Sequence, residues 1–293
     1  MNTVPYEFAE NVCLQSLSSL WSQTKKFSEL SGTYGLCAEK SLKEGLVEKN
    51  TIADGILEWT RYSYYRDFPK TTDTISNPEV NAPKRVLINI VYACSNNSAG
   101  SHECSFKPKT GVCTFLSLCS NNFDFDWISK LNSSVPIPLV LLNISSSEIL
   151  NKALKLLVDT KRLMQLQNTL ATTDDETRKL LVNLFQQDQF KYLFMFQLDD
   201  QLFKAIIEAW KTNPSKFVGK LLELKGLLDI QRCLFTKEKR TVATHQVYTL
   251  ALKKGTLKVD YFNQDGTLDM REDDFLKGVT STVIFFVTES LVL

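Results

Sequence analysis

Leu141-Leu142-Asn143-Ile144 reads aliphatic, aliphatic, polar, aliphatic, and the pattern recurs along the chain. The other copies are Leu87-Ile88-Asn89-Ile90, Phe115-Leu116-Ser117-Leu118, Leu163-Met164-Gln165-Leu166, Met195-Phe196-Gln197-Leu198 and Leu221-Leu222-Glu223-Leu224. Their last residues fall at 90, 118, 144, 166, 198 and 224, in steps of 22 to 32 residues. A chain this rich in aliphatics holds several such tetrads by chance, so the spacing and the intervening sequence carry the weight.

Most intervals hold a helical stripe. Ile149, Ala153, Leu156 and Leu157 fall on one face, with Ser146 and Glu148 suited to the first turn. Asp174-Asp175-Glu176 precedes Leu180, Leu181, Leu184 and Phe185, an acidic start followed by a 3.6-residue stripe. Asp199 can cap a helix carrying Leu202, Phe203, Ile206, Ile207 and Trp210, which Asn213-Pro214 then stops. The expectation is an α/β chain: an irregular, leucine-rich-repeat-like strand-helix solenoid with an N-terminal helical cap and a C-terminal β-rich end. The competing reading is a mixed α/β domain without a repeat, which alternates strands and helices just as readily. In a solenoid the central polar residues Asn89, Ser117, Asn143, Gln165, Gln197 and Glu223 point to an exposed face, which makes them candidate partner-binding positions.

Composition narrows the function classes. The chain has 293 residues, 34 Lys+Arg against 33 Asp+Glu, and a formal net charge of +1. A nucleic-acid binder shows a basic excess or a clustered basic patch. The best cluster, Lys237-Glu238-Lys239-Arg240, is interrupted by a glutamate and reads as a solvated turn. No apolar run approaches the ~18 residues of a membrane helix, and the start lacks a basic n-region and an apolar h-region. Seven cysteines with no leader pattern read as reduced thiols in an intracellular protein, cytoplasmic or nuclear. The partner expected is a protein, with no nucleic acid, membrane or small-molecule cofactor.

Residues 1–46 read as three short helices, the third over about Leu36 to Leu46, and 50–293 as the repeat-like domain. Pro5 suits a first helical turn, with Phe8 and Val12 on one side. Val4-Pro5, Tyr6, Phe8 and Val12, followed by a leucine-bearing second helix, resemble a degenerate F-box. This start is similar to those of nematode-type families that join an F-box to an F-box-associated or leucine-rich-repeat-like region. That resemblance implies a substrate-recruiting adaptor that binds the linker protein of a ubiquitin ligase. A generic helical cap is the competing reading of the same residues.

Further on, Asn50 to Tyr65 turns to a strand pattern around an Asp54-Gly55 turn, and residues 66–84 are a proline-bearing loop or linker. Phe123 to Leu131 reads as a short helical turn and Gly226 to Phe235 as a last helix. Thr244 to Leu252, Leu257 to Tyr261 and Ser281 to Val287 form a closing β meander.

Three candidate chemistries are weak. Cys94, His102, Cys104, Cys113 and Cys119 are zinc-ligand types, but no Cys-x-x-Cys pair sets two thiolates on one turn. Tyr261 to Glu272 overlays a calcium loop through Asn263, Asp265, Gly266, Asp269 and Glu272, yet Tyr261 occupies the first ligand position and a strand leads in. A hairpin turn at Asp265-Gly266 explains those residues more simply. His102 and Cys104 could form a thiol-dependent enzyme site, but no third orienting group is evident. No phosphate-cradling or nucleophile-elbow motif occurs. The sequence therefore favours a non-enzymatic recognition scaffold, with no catalytic or metal-binding residues assigned. An enzyme around His102 and Cys104, or a lineage-specific structural protein, is the alternative.

Overall fold

Short apolar runs separated by capped helices fold into a mixed α/β protein, with twelve strands and six α-helices among the described residues. The computed structural model describes residues 29, 31–53, 56–64, 86–94, 112–121, 125–135, 137–169, 174–196, 199–228, 230, 235–239, 241–252 and 255–287. The chain divides into two compact units, Met1–Leu141 and Leu142–Leu293.

The first unit holds α1 (Thr33–Glu44), β1 (Leu46–Ala53), β2 (Ile56–Tyr64), β3 (Val86–Cys94), β4 (Cys113–Leu118), α2 (Phe125–Ser134) and β5 (Leu139–Leu142), which ends at the boundary. Its strands lie in the order β2-β1-β3-β4-β5. β1 and β2 pair antiparallel, while β1–β3 and β3–β4 are parallel. The expected third helix therefore starts and ends earlier, at Thr33 and Glu44, and Leu46 opens a strand instead. One face of this sheet packs Val47, Ile88 and Ile90 against Leu42 of α1, with Tyr92 and Phe115 alongside.

The other face carries buried polar groups. Glu48 is 3% exposed, Asn50 1% and Asn89 0%. Such groups cost folding free energy unless hydrogen-bonded. Asn50 Nδ2 donates to Glu48 Oε1 at 2.9 Å and to Asn89 Oδ1 at 2.8 Å, and Thr60 Oγ1 donates to Asn50 Oδ1 at 2.7 Å. The carboxylate only accepts, so it fixes which way each amide faces. That leaves Asn89 Nδ2 on the far side, beside Thr114, its register partner on β4. Neither Asn89 Nδ2 nor Thr114 Oγ1 has a hydrogen-bond partner among the described residues.

The second unit holds α3 (Ser147–Thr160), β6 (Gln165–Asn168), α4 (Asp175–Phe185), β7 (Tyr192–Met195), α5 (Asp200–Thr212), a 3-10 turn (Pro214–Lys216), β8 (Leu221–Lys225), β9 (Thr236–Lys237), β10 (His245–Leu252), β11 (Gly255–Phe262), α6 (Glu272–Lys277) and β12 (Ser281–Val287). The strand order is β6-β7-β8-β12-β11-β10-β9. β6, β7 and β8 are parallel, and the remaining pairs are antiparallel. The three parallel strands follow chain order, each returning over a helix. Right-handed crossovers then place α4 and α5 on the same face of the sheet.

Side-chain caps set the helix starts. Ser146 accepts from the Ile149 amide at 3.5 Å, Asp174 from Thr177 at 2.7 Å, and Asp199 from Gln201 at 2.9 Å and Leu202 at 3.0 Å. Asp174 also accepts from Asn151 Nδ2 at 3.2 Å, and Asn151 Oδ1 accepts from Thr177 Oγ1 at 2.6 Å, which ties α3 to the start of α4. The α3 stripe lies one residue round from the expected one, on Leu150, Ala153, Leu154 and Leu157. The expected helix from Gly226 is absent at Gly226–Leu228, which carry no helical turn.

The core of this unit is aromatic. Phe286 on β12 meets Phe185 of α4 at 5.6 Å, Trp210 of α5 at 5.9 Å and Phe217 at 5.4 Å between ring centroids. Beneath them Lys220, 2% exposed, donates to the carbonyls of Phe185 at 2.5 Å and Gln187 at 2.6 Å, closing the C-terminal end of α4. Among the described residues no helix is long and apolar enough to cross a membrane.

Trp210→Ala should lower the unfolding free energy by about 3–5 kcal/mol through lost contacts and a residual cavity. Denaturant unfolding measures this, and a loss under ~1 kcal/mol would remove Trp210 from the core. Burial also brings the Lys220 ammonium down to about 8. Below that pH both folded and unfolded chains carry the proton. Between there and about 10.4 the unfolded chain keeps a proton that the folded chain has released, so stability rises with pH across the window. Lys220→Met should flatten that rise when denaturation curves on its two sides are compared, and a slope unchanged from wild type would refute the assignment.

Candidate functional site

β7 reads Tyr192-Leu193-Phe194-Met195 and β12 includes Val283-Ile284-Phe285-Phe286-Val287, so both are apolar on successive residues. A strand covered on two faces needs that composition. Burial nevertheless alternates strictly. Leu193, Met195, Leu222, Leu224, Ile284 and Phe286 are buried, while Tyr192, Phe194, Leu221, Glu223, Val283 and Phe285 between them are half-buried. The contacts from α4 and α5 to Phe286 land on the buried set. The other set forms a second, less covered face.

Strand register arranges that face in rows. One runs Tyr192, Leu221, Phe285, Lys258, Thr249, and the next Phe194, Glu223, Val283, Asp260, Val247. The parallel side is mainly aromatic and aliphatic, and the antiparallel side carries the charge. At the end of β7, Phe196 is 40% exposed, and Lys225 Nζ sits 4.1 Å from its ring centroid. Tyr192 donates its hydroxyl to Glu223 at 2.7 Å. Burial first, and then that carboxylate, raise the Tyr192 phenol well above its usual range.

Across the sheet, His245 Nδ1 lies 2.9 Å from an Asp260 oxygen, and Lys258 lies 3.3 Å from Glu238. Burial raises the Asp260 carboxyl and outweighs the opposing pull of His245. A hydrogen bond from Thr249, helped by Lys258, lowers Glu238. Glu238, His245 and Asp260 border a cleft of about 340 Å³ that also includes Lys239 and Val242. A His–Asp pair can hold or pass a proton, but a nucleophilic site needs a third group in reach. No group of three or more metal-ligating side chains converges among the described residues.

The chain matches no family model, and no curated protein or solved structure matches it. The reading of this face therefore rests on its own geometry.

Three of the six tetrad polar residues are not where the sequence puts them. Asn89, Ser117 and Gln165 are buried, because the strands bearing them are covered on both faces at those positions. They form no exposed strip. Asn143 is exposed just beyond β5, where its Oδ1 accepts from Thr169 Oγ1 at 3.0 Å. Glu223 is half-buried on the face described above, and Gln197 lies outside the described residues. So do Val4, Pro5, Phe8 and Val12, the His102 and Cys104 pair, the Asp54-Gly55 turn and the 66–84 loop.

The calcium-like stretch serves a different purpose. Asn263 is buried, accepts from the Asp265 amide at 3.0 Å and donates to the Phe275 carbonyl at 2.7 Å. Glu272 is held by the Tyr248 hydroxyl and by Lys237. Asn263 joins the end of β11 to α6 and Glu272 ties α6 to β9 and β10, so Asp265-Gly266 is a strand-to-helix turn and not a hairpin. A Cβ at Gly266 would sit 2.5 Å from the Ala243 carbonyl, which only glycine avoids.

Sequence reasoning missed Tyr192, Phe194, Val283 and Phe285. Their signal was the unbroken apolar run in a strand with one helical cover. Tyr192→Phe should cost about 1 kcal/mol of stability by deleting the bond to Glu223. Glu223→Gln and the double variant complete a cycle in denaturant unfolding, and strictly additive losses would show that the two groups are uncoupled.

Proposed function

We propose that this protein is a non-enzymatic protein-recognition scaffold that binds its partner on the less covered face of the sheet in the second unit. The observation that carries the proposal is the mismatch between composition and cover: β7 and β12 are written for burial on both faces, and only one face is sealed. An apolar patch rimmed by polar groups is how protein interaction sites are built. Tyr192, Phe194 and Phe285 supply large rigid contact area, and Lys225 supplies an exposed charge stacked on Phe196. Helices on one side and a partly open strand surface on the other support the leucine-rich-repeat-like reading for β7 and β8, with β9–β12 as the terminal cap. Joined to an F-box-like start, such a scaffold would act as a substrate-recruiting adaptor of a ubiquitin ligase.

Two measurements test this in the full chain. A photo-crosslinking residue at Phe194 or Phe285 should yield discrete adducts with one protein in the source cells. Phe196→Asp should cut that yield at least tenfold while changing stability by no more than about 0.5 kcal/mol. Equal adducts from a crosslinker at the exposed Leu268, in the turn between β11 and α6, would remove the face. Binding of the ligase linker protein should disappear on deleting residues 1–46, and its absence in the intact chain would remove the adaptor role alone.

A further inference from the structure

Cys94 is the last residue of β3, and Cys119 directly follows β4, both in the first unit. Ala93 and Leu118 are register partners, and the Cys119 amide donates to the Ala93 carbonyl at 2.9 Å. The parallel ladder thus extends one step and sets Cys94 opposite Cys119. The two thiols are free and half-buried, and burial, followed by the neighbouring Cys119, pushes the Cys94 thiol up. Ser117 Oγ lies 3.1 Å from the Cys119 sulfur and helps to orient it. Adjacent strands lie about 4.8 Å apart, within the Cα separation of roughly 4.4–6.8 Å that a disulfide tolerates. Partial exposure lets a small reagent reach the sulfurs, which sit at the C-terminal ends of neighbouring parallel strands.

We propose that Cys94 and Cys119 form a redox-active dithiol that closes reversibly to a disulfide by exchange with a small disulfide of the glutathione type. The thiolate of one cysteine attacks a sulfur of the reagent. The reagent's S–S bond breaks, and one small thiolate leaves with the electron pair and takes up a proton. The second cysteine, as thiolate, attacks the protein-side sulfur of the mixed disulfide. The Cys94–Cys119 bond forms and the second small thiol departs. Two protein thiols are oxidised, and one small disulfide is reduced to two thiols, so electrons and protons balance. The closed form straps the ends of β3 and β4 together.

The test equilibrates the full chain with oxidised and reduced glutathione at graded ratios, followed by acid quenching, alkylation, digestion and mass spectrometry. A peptide pair linking Cys94 to Cys119 should dominate and should revert with excess reduced glutathione. Cys94→Ser and Cys119→Ser should each lose the linked pair at least tenfold and retain a glutathione adduct on the remaining sulfur, with circular dichroism unchanged. Linkage of either sulfur to Cys104 or Cys113, single adducts only in the wild type, or both thiols unmodified when the denatured chain reacts would each overturn the proposal.

Discussion

The second unit depends on Phe286. This ring on β12 is where α4 and α5 meet the sheet, through Phe185 and Trp210. β12 lies between β8 and β11 in strand order although it comes last in sequence. The contact between Phe185 and Phe286 therefore joins chain segments far apart, and the loop entropy of bringing them together precedes any gain from packing. The packing of α4 and α5, with Phe217 and the buried Lys220 beside them, is complete only with β12 in place.

The chemistry of the two sheet faces follows from that arrangement. The helices seal the side carrying Leu193, Met195, Leu222, Ile284 and Phe286. On the opposite side the parallel strands keep aromatic residues, and the antiparallel strands keep the hydrogen-bonded His245 and Asp260 and the ion pair of Lys258 with Glu238. Exposed ion pairs contribute little to stability. They do hold the antiparallel half polar and confine the apolar area to β7, β8 and part of β12. A partner with an apolar centre and a polar margin fits that division.

Much of the architecture is legible in the sequence, and the failures have specific causes. Caps at Ser146, Asp174 and Asp199 announce their helices because the signal is local: an oxygen followed by a 3.6-residue stripe. The closing strands His245–Leu252, Gly255–Phe262 and Ser281–Val287 are legible from alternation and turn residues. The orientation of the tetrad polar residues is not. Asn89 and Gln165 look like solvent positions because asparagine and glutamine usually are. Their burial is decided by what crosses each face, which no short pattern encodes. The tetrad expected at Met195–Leu198 misplaces its strand for a similar reason: pairing with β6 and β8 selects Tyr192–Met195, where burial alternates.

The hydrogen-bonded chain from Thr60 through Asn50 to Glu48 and Asn89 bears on how faithfully the first unit assembles. Sliding β1 by one residue against its neighbours turns every side chain to the opposite face. Glu48 and Asn50 would then face Ile88 and Ile90 with nothing to bond, and Asn89 would be left facing Val47. An aliphatic row at the same positions would tolerate several alignments at similar energy. Polar groups in the middle of this sheet act as a key cut for one lock, penalising every misaligned pairing more heavily than they strengthen the correct one.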